Sequence, residues 1–491
     1  MEQGETLHLG LKMSVQSFRP KDSIDAIFNP RTVALIGASN KAGKMGYVFM
    51  KNLVDGGYQG KIYPVNPGED VVFGLKAYPS VKEVPVEVDL AVVVVPAPAV
   101  PKVMGECSEK GVKAAVVITA GFSEAGEEGK KLEKQLVEAA KKGGVRVVGP
   151  NCFGILNCNT GLNASMAVGT PPRGGDISFA TQSGAYGMAI YSCAMDFGMR
   201  FAKIISYGNK ADIQDYEVLR YLGDDPETRV ICYFIESLDE GRKFFEEACK
   251  VALKKPIVVT KTGRTAGAVR AASSHTAALA GSFTAYETAF KQAGVIFARN
   301  GLELVDIAKG LDWQPLPKRN RVGIVTNSGG TGVELTDLCE ENGLAVPELP
   351  KEDQEKIKPI IPPYASAKNP VDMTPIWPKF IEIYPKIIEV FYESPAIDIV
   401  MPILLQRSAM MEDVVKAVRD AIIHCQKEKG IRKPAYVCWV SIKEALKNKE
   451  ILEAAKIPCY DWPERTARTV GAIYRYTKFL RRKGVDPSKI G

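Results

Sequence analysis

One pattern recurs along this 491-residue sequence: a short aliphatic run, a turn of small residues and then a helical pattern. Residues 31–37, Arg-Thr-Val-Ala-Leu-Ile-Gly, begin the first such unit. Residues 89–96 are almost continuously apolar, which is typical of a parallel strand buried on both faces. The pattern predicts an α/β fold of parallel sheets, with ligands bound beyond the carboxyl ends of the strands.

The first turn, at residues 37–46, lies between a strand and a helical pattern, where backbone amides can receive a phosphate. Its glycines are spaced G-x-x-x-x-x-G-x-x-G, unlike the compact dinucleotide fingerprint. The second strand, at residues 61–65, is followed by Asn66-Pro67-Gly68, where an NAD site has an acidic residue. The turn therefore favours a phosphorylated ligand other than NAD.

Two later units echo each other. Residues 176–180 lead into Thr181-Gln-Ser-Gly184, and residues 321–326 lead into Asn327-Ser-Gly329. A serine and glycine at a helix N-terminus let an anion approach the backbone amides. An ordinary serine N-cap is the alternative interpretation.

A long stretch rich in Gly, Ala, Ser and Thr follows the apolar residues 257–259, and we expect it to form a loop. It holds His275, one of three histidines in the chain, next to Ser274 and downstream of several cations. Hydroxyls and cations are what a phosphoryl transfer needs around it. Taken alone, the stretch is equally consistent with a polar structural loop.

A carboxylate, Glu236, ends the apolar run at residues 229–235. Placed at the carboxyl end of a strand, it can accept the second N–H of an imidazole and fix its tautomer. A solvated loop acid is the alternative.

Composition excludes several classes of protein. The net charge of +7 is not gathered into a basic stripe, which disfavours nucleic-acid binding. No apolar run approaches the roughly 20 residues needed to span a bilayer, and no secretory signal is recognisable. Ten scattered cysteines without a C-x-x-C pair fit reduced thiols, so we expect a cytoplasmic protein without a metal site of its own.

Seven motifs, in this order, make nearly the whole chain resemble the NDP-forming acyl-CoA synthetases, the superfamily of succinyl-CoA synthetase. The likeness is strongest to the α subunits of archaeal ADP-forming acetyl-CoA synthetases. The motifs are Leu35-Ile-Gly-Ala-Ser39, Val65-Asn-Pro67, Val95-Pro-Ala-Pro98, Ile118-Thr-Ala-Gly-Phe122, Gly149-Pro-Asn-Cys-Phe-Gly154, Thr181-Gln-Ser-Gly184 and Ser274-His-Thr276.

The resemblance implies four regions. An N-terminal extension, residues 1–24, precedes a Rossmann-like CoA-binding domain over residues 25–160. A flavodoxin-like domain with the phosphohistidine loop then covers residues 161–316, and a second flavodoxin-like domain covers residues 317–491. The second of these has no equivalent loop histidine, so a structural or subunit-interface role is expected for it.

The resemblance also implies roles for individual residues. CoA would be contacted by Gly37, Ser39, Lys44, Asn66, Val95, Pro96, Ala97, Thr119, Gly121 and Asn151. Ser183, Gly184 and Ser274 would bind phosphate. His275 would be the phosphorylated nucleophile, and Glu236 would orient it.

The activity implied is that of an acid–thiol ligase, which converts acyl-CoA, phosphate and ADP reversibly into the acid, CoA and ATP. The intermediates would be an acyl phosphate and a phosphohistidine. No ATP-grasp region or Walker loop is recognisable in the chain. A separate β subunit is therefore expected to supply the ADP/ATP and Mg²⁺ site, in an α₂β₂ assembly.

Three other functions fit the residues less well. A non-catalytic CoA-binding or regulatory protein would need only the first domain, so Thr181-Gln-Ser-Gly184, Glu236 and His275 argue against it. A nicotinamide-dependent oxidoreductase is disfavoured by the missing acid after the second strand. A CoA transferase would need no histidine of this kind.

Overall fold

The protein is described by a computed structural model covering residues 20–273 and 282–490. Three main sheets follow one another along the chain, with helices packed on their faces, and all are parallel except for a hairpin at the edge of the second. Within these two stretches, none of the helices is both long enough and apolar enough to cross a membrane. The predicted α/β class is confirmed.

The first sheet has five parallel strands in the order β2-β1-β5-β6-β7, and β3 and β4 form a small antiparallel hairpin beside it. All four residues of β5 are buried, as its continuous apolar run predicted. The elements are α1 (Pro20–Phe28), β1 (Thr32–Ile36), α2 (Met45–Asp55), β2 (Lys61–Val65), β3 (Val71–Val72), β4 (Leu75–Lys76), β5 (Leu90–Val93), α3 (Val100–Lys110), β6 (Ala114–Val117), α4 (Glu127–Lys142) and β7 (Arg146–Val148).

The second sheet has seven strands in the order β14-β13-β12-β10-β11-β8-β9. The elements are β8 (Gly154–Asn157), β9 (Leu162–Ser165), β10 (Ile177–Thr181), α5 (Gly184–Asp196), β11 (Phe201–Ser206), α6 (Asp215–Asp224), β12 (Val230–Ile235), α7 (Gly241–Val251), β13 (Ile257–Lys261), α8 (Ala266–Ser273), α9 (Phe283–Ala293), β14 (Ile296–Ala298) and α10 (Gly301–Trp313). Strands β10 to β14 are parallel and have the flavodoxin order, whereas β8 and β9 add an antiparallel hairpin at the edge.

One local expectation is wrong. The stretch after β13 was expected to be a loop, but residues 266–273 form helix α8. This segment, Ala-Gly-Ala-Val-Arg-Ala-Ala-Ser, is rich in alanine, and alanine has the highest intrinsic helix propensity.

The third sheet has five parallel strands in the order β16-β15-β17-β18-β19, again the flavodoxin order. The elements are β15 (Val322–Thr326), α11 (Gly329–Glu341), α12 (Lys351–Ile357), β16 (Val371–Asp372), α13 (Phe380–Glu393), β17 (Ile399–Leu405), α14 (Arg407–Met410), α15 (Glu412–Ile423), β18 (Val437–Val440), α16 (Leu446–Ala454), β19 (Cys459–Asp461) and α17 (Pro463–Arg482).

Helices α10 and α17 pack against each other and join the second and third sheets in one hydrophobic core. The Tyr460 hydroxyl donates to the carbonyl of Asp306 at 2.9 Å, and Arg465 pairs with the Asp306 carboxylate at 2.8 Å. The Tyr476 hydroxyl also reaches the carbonyl of Ala252 at 2.9 Å. These buried polar contacts fix the position of one sheet relative to the other.

Each sheet has a topological switch point, where the chain reverses the direction in which it adds strands. These points lie between β1 and β5, between β10 and β12, and between β15 and β17. In open α/β sheets, ligands bind at the carboxyl ends of the strands at such points. The fold therefore offers three places to look for a site.

Candidate active site

A cleft of about 1680 Å³ runs from the carboxyl edge of the first sheet to that of the second. It exceeds the roughly 300–1,000 Å³ of ordinary small-ligand pockets. Eleven of the residues singled out from the sequence line it: Gly37, Ser39, Lys44, Asn66, Val95, Pro96, Thr119, Asn151, Ser183, Gly184 and Glu236. The cleft thus brings together the loops that are predicted to contact CoA and the turn Thr181-Gln-Ser-Gly184, which is predicted to bind phosphate and is called the phosphate turn below.

Four predicted residues are not placed there. Within residues 20–273 and 282–490, the lining of the cleft does not include Ala97 or Gly121. A methyl group added to Gly121 would lie 3.3 Å from the Cβ of Ala97, so their two loops pack together beside the cleft. Ser274 and His275 lie outside the described residues.

Two side chains connect the loops that form the first-sheet wall of the cleft. The Asn66 amide donates to the carbonyl of Ala38 at 2.8 Å and so joins the loops after β2 and β1. The Thr119 hydroxyl donates to the carbonyl of Val95 at 2.6 Å and joins the loops after β6 and β5. Asn66 and Thr119, both predicted to contact CoA, therefore also hold neighbouring loops in place.

Helix α2 begins very close to β1. A methyl group added to Gly46 would lie 1.9 Å from the carbonyl oxygen of Gly37, so only glycine fits there. The close approach directs the first turn of α2, which begins after Lys44, toward the cleft. Amides of a first helical turn have no partner within their own helix, so they are available to an anion.

Asn209 connects the two walls of the cleft. Its amide donates to the Ser123 hydroxyl at 3.0 Å and to the Glu124 carboxylate at 2.5 Å, and its oxygen accepts from Asn151 at 3.3 Å. Burial raises the pKa of Glu124, but hydrogen bonds from Asn209 and from the Gly121 amide outweigh it and lower that pKa. Glu124 is therefore held as an anion that tethers the loop after β11 to the loop after β6.

The phosphate turn lies at the N-terminus of α5. Ser183 occupies the N-cap position, but within the described residues its side chain makes no capping hydrogen bond. The hydroxyl is therefore not used as the ordinary N-cap considered from the sequence. Ser183, Gly184 and Ala185 all line the cleft, so the positive end of the helix faces it.

Glu236 follows β12 and lines the cleft beside this turn. Buried Lys261, at the end of β13, donates to the carbonyl of Glu236 at 2.7 Å and lies over the ring of Tyr286 at 4.6 Å. Burial lowers the pKa of Lys261, and the charge of Glu236 opposes that shift. The Tyr286 hydroxyl accepts from the amide of Leu238 at 3.1 Å, so β13 and α9 both contact the Glu236 loop.

Sequence reasoning missed several residues of the cleft. Lys210 and Asn209 follow β11, and the rule that sites lie beyond strand ends could have found them. Gln182 lies within a motif that was recognised, but its own role was not considered. Phe153 lies within the motif that ends at Gly154, but its place in the lining was not considered, and no local pattern marks Met166 and Met188, which extend the apolar part of the lining.

The groups that line the cleft are suited to a CoA thioester. Its first-sheet wall offers backbone amides and Lys44 to phosphates, and its second-sheet wall offers a helix N-terminus and a carboxylate. Among residues 20–273 and 282–490, no group of three or more His, Cys, Asp or Glu side chains is arranged to hold a metal ion.

Three family models match the chain in succession. A CoA binding domain matches residues 31–157, a succinyl-CoA ligase-like flavodoxin domain matches residues 174–311, and a ligase-CoA domain matches residues 322–483. The three matches correspond in order to the three sheets.

Curated relatives match over nearly the whole chain. The α subunit of ADP-forming acetate–CoA ligase II of Pyrococcus furiosus is 43% identical, over 93% of this chain and 98% of the relative. The α subunit of ligase I of the same organism is 41% identical, again over 93% and 98%. ADP-forming acetate–CoA ligase I of Archaeoglobus fulgidus is 39% identical over 94% of this chain, but the match covers only 65% of that longer protein.

Solved structures agree with the fold. Acetyl-coenzyme A synthetase 1 of Candidatus Korarchaeum cryptofilum, solved with phosphate and ADP, has a TM-score of 0.87 at 36% identity and covers 94% of this chain and 99% of its own. A protein of Pyrococcus horikoshii OT3 has a TM-score of 0.82 at 39% identity, over 93% of this chain and 99% of its own.

Proposed function

We propose that this chain, which belongs to the family of ADP-forming acetate–CoA ligase α subunits, carries the thioester and phosphohistidine half of that reaction. The observation that carries the proposal is the single cleft shared by the CoA-binding region and the phosphate turn of α5. A CoA thioester lying along the cleft would bring its acyl group to the N-terminus of that helix.

The first step is attack of inorganic phosphate on the thioester carbonyl. The new C–O bond gives an acyl phosphate, the C–S bond breaks, and CoA leaves as a thiolate that takes up a proton. The amides at Ser183 and Gly184, together with the positive end of α5, stabilise the phosphate through both steps.

In the second step the neutral imidazole of His275 attacks phosphorus. An N–P bond forms, the P–O bond to the acyl group breaks, and the carboxylate leaves. Glu236 accepts the second N–H of the imidazole, which fixes the tautomer and stabilises the positive charge that develops.

The flanks of the histidine segment support this role. Lys261 precedes the segment and contacts the Glu236 carbonyl, while Tyr286 follows it and accepts from Leu238, two residues after Glu236. The described elements on both sides of the stretch that holds His275, β13 and α9, therefore contact the backbone around Glu236, which supports a role for His275 with that carboxylate. Ser274 would add a hydroxyl to the phosphate.

We assign the nucleotide half of the reaction to a partner. Relatives matched over 98% of their length are named α subunits, whereas the Archaeoglobus fulgidus ligase, whose name gives no subunit, is longer than the matched part. An ATP-grasp β subunit in an α₂β₂ assembly would bind ADP and Mg²⁺, and the β-phosphate oxygen of ADP would take the phosphoryl group from His275. All ten cysteines are free thiols, which supports a cytoplasmic location.

The proposal is tested by incubating the chain with acetyl-CoA and labelled inorganic phosphate. We expect label on the protein that survives base and is lost in acid, as a phosphohistidine should be. His275→Asn should carry none. His424→Asn is the matched control, because His424 lies directly after α15, in the part of the chain that forms the third sheet, where its Nδ1 is 2.7 Å from Glu428.

Two outcomes would contradict the proposal. Label that persists on His275→Asn would exclude that residue as the nucleophile. Binding of CoA without label, both for the chain alone and with its β subunit, would favour the alternative of a non-catalytic CoA-binding protein.

A further inference from the structure

Gln182 is a buried residue that connects the two strands of the second switch point. It lies directly after β10 and is 6% exposed. Its side-chain oxygen accepts from the amides of Glu236 at 2.8 Å and Ser237 at 2.9 Å. Its side-chain nitrogen donates to the carbonyl of Ser237 at 2.7 Å and to the Asp215 carboxylate at 2.9 Å. One amide therefore forms four hydrogen bonds, three of them to the backbone that carries Glu236.

The orientation of this amide is determined by charge. Asp215 is 3% exposed, and its second oxygen accepts from Lys210 at 3.1 Å. Burial raises the pKa of Asp215, and the charge of Lys210 and the hydrogen bond from Gln182 oppose that shift. A reversed amide would place the Gln182 oxygen against the Asp215 carboxylate, so the nitrogen must face Asp215 and the oxygen must face the two backbone amides.

Lys210 holds the same backbone from the other side. Its ammonium donates to the carbonyl of Ser237 at 2.9 Å and lies 3.4 Å from Asp239. The ammonium is nearly inaccessible to solvent, since the side chain is 6% exposed. The loop after β12 is thus fixed by a buried amide and a buried cation that share Asp215.

Among the residues that the structure describes, a single and longer bond replaces this arrangement in the third sheet: the Asn327 side-chain amide donates to the carbonyl of Leu405, the last residue of β17, at 3.4 Å. Asn327 follows β15 as Gln182 follows β10, but its side chain is one methylene shorter. Its oxygen accepts from the Tyr384 hydroxyl at 3.2 Å. The backbone amide of Gln406, the residue after β17, donates instead to the carbonyl of Val440 at 2.7 Å.

We propose that Gln182 is a positioning residue that fixes the place of the Glu236 carboxylate relative to the phosphate turn. It acts through the backbone of Glu236 and Ser237 and does not touch the reacting atoms. The proposal rests on the role given to Glu236 under the proposed function.

A double-mutant cycle tests it, with the rate of protein labelling by acetyl-CoA and labelled phosphate as the readout. Gln182→Met keeps the length of the side chain and removes its hydrogen bonds. We expect it to slow labelling about 10-fold while the Kd for CoA changes less than about 3-fold. In a Glu236→Gln background the same change should slow labelling by no more than about 2-fold, because the carboxylate that it positions is gone.

Asn327→Leu is the matched control, and we expect it to leave labelling unchanged. If Gln182→Met does not fold, Gln182→Asn replaces it, since it keeps the amide and withdraws it by one methylene. Effects of Gln182 and Glu236 that simply multiply, or a Gln182 variant that labels at the wild-type rate, would overturn the positioning role. Absence of label on the wild-type protein together with its β subunit would instead overturn the proposed function.

Discussion

The second and third sheets build the same turn, but only the second presents it to the large cleft. The Thr181 hydroxyl donates to the carbonyl of Ser183 at 2.8 Å, and the Thr326 hydroxyl donates to that of Ser328 at 3.0 Å. Both turns follow the first strand of a flavodoxin-ordered sheet and begin a 13-residue helix. The echo seen in the sequence is therefore a true structural repeat.

The two helix N-termini differ in what lies against them. A methyl group on Gly329 would be 2.9 Å from a carboxylate oxygen of Asp372, so α11 already has an anion at its positive end. A methyl group on Gly184 would meet only the amide nitrogen and Cβ of Phe153, at 3.5 and 3.6 Å. The turn in the third sheet is occupied by the carboxylate of Asp372, whereas the turn in the second sheet is open to an anion from outside the protein.

The residue that follows the other strand of each switch point, β12 in the second sheet and β17 in the third, differs as well. It is Glu236 in the second sheet and Gln406 in the third. A shared fold thus supports chemistry at one switch point and not at the other, because function depends on the groups placed there.

Substitutions of Glu236, after β12, and of Gln406, after β17, should show the largest difference between the two sites. Glu236→Gln should slow protein labelling about 100-fold, since the imidazole loses the carboxylate that orients it. Gln406→Asn, its counterpart, should change the rate less than 2-fold. Comparable losses in both variants would show that the third switch point also serves the reaction.

The contact that holds the two sheets together offers a second test, through the pH dependence of folding. Asp312 lies near the end of α10, and burial raises its pKa to about 6 against the opposing charges of Lys456 and Arg229. Between pH 4 and 6 the folded protein binds more protons at Asp312 than the unfolded chain does. Stability should therefore fall as the pH rises through this range and stay lower above it.

Asp312→Asn removes the loss of folding free energy that ionisation of the buried carboxyl group causes, which amounts to at most about 3 kcal/mol at pH 7.5. Denaturant unfolding of both proteins at pH 4 and pH 7.5 measures it. The variant should gain stability over the wild type mainly at pH 7.5. An equal difference in the free energy of unfolding between the variant and the wild type at both pH values would contradict the raised pKa of Asp312.

Methyl groups added at the two helix N-termini sharpen the comparison further. Gly184→Ala narrows the space that the phosphate must enter, so the KM for phosphate should rise about 10-fold with little change in stability. Gly329→Ala must displace the Asp372 carboxylate, so it should cost about 1 kcal/mol of stability and leave the KM unchanged. Phosphate-dependent kinetics and thermal unfolding distinguish the two results, and a reversed pattern would mean that the wrong turn was chosen.

Opening the third turn should have the smallest effect. Asp372→Ala removes the anion from the N-terminus of α11 and the hydrogen bond that it accepts from the Thr374 amide at 3.0 Å. We expect a loss of about 1 kcal/mol, part of which added phosphate restores. Thermal unfolding across a phosphate titration, with the wild type beside it, measures this. A variant that gains nothing from phosphate would show that the fold alone does not make this turn an anion site.

Much of the fold was predictable because it rests on local patterns. The apolar run of β5 and the small-residue turns before α5 and α11 identify parallel strands and helix starts directly. The hairpin of β8 and β9 was not predicted to join the second sheet, since strand pairing at a sheet edge is decided by tertiary packing.

The site was predictable only in part. Residues inside strand-end motifs, such as Asn66 and Ser183, line the cleft because topology brings strand ends together. Ala97 and Gly121 are not among its lining residues, although their neighbours Pro96 and Ala120 are, because which side chains of a loop face a cleft depends on the folded backbone, which no motif reveals. The contacts of Gln182 depend on two strands separated by some fifty residues, so only the folded arrangement exposes them.

The most direct test of the difference between the two turns is a crystal structure of the protein grown with inorganic phosphate and CoA. We expect phosphate density at the amides of Ser183 and Gly184, beside Glu236, and none at Ser328 and Gly329. Phosphate bound at the third turn with the second one empty would contradict the assignment of the second turn as the site of phosphoryl chemistry.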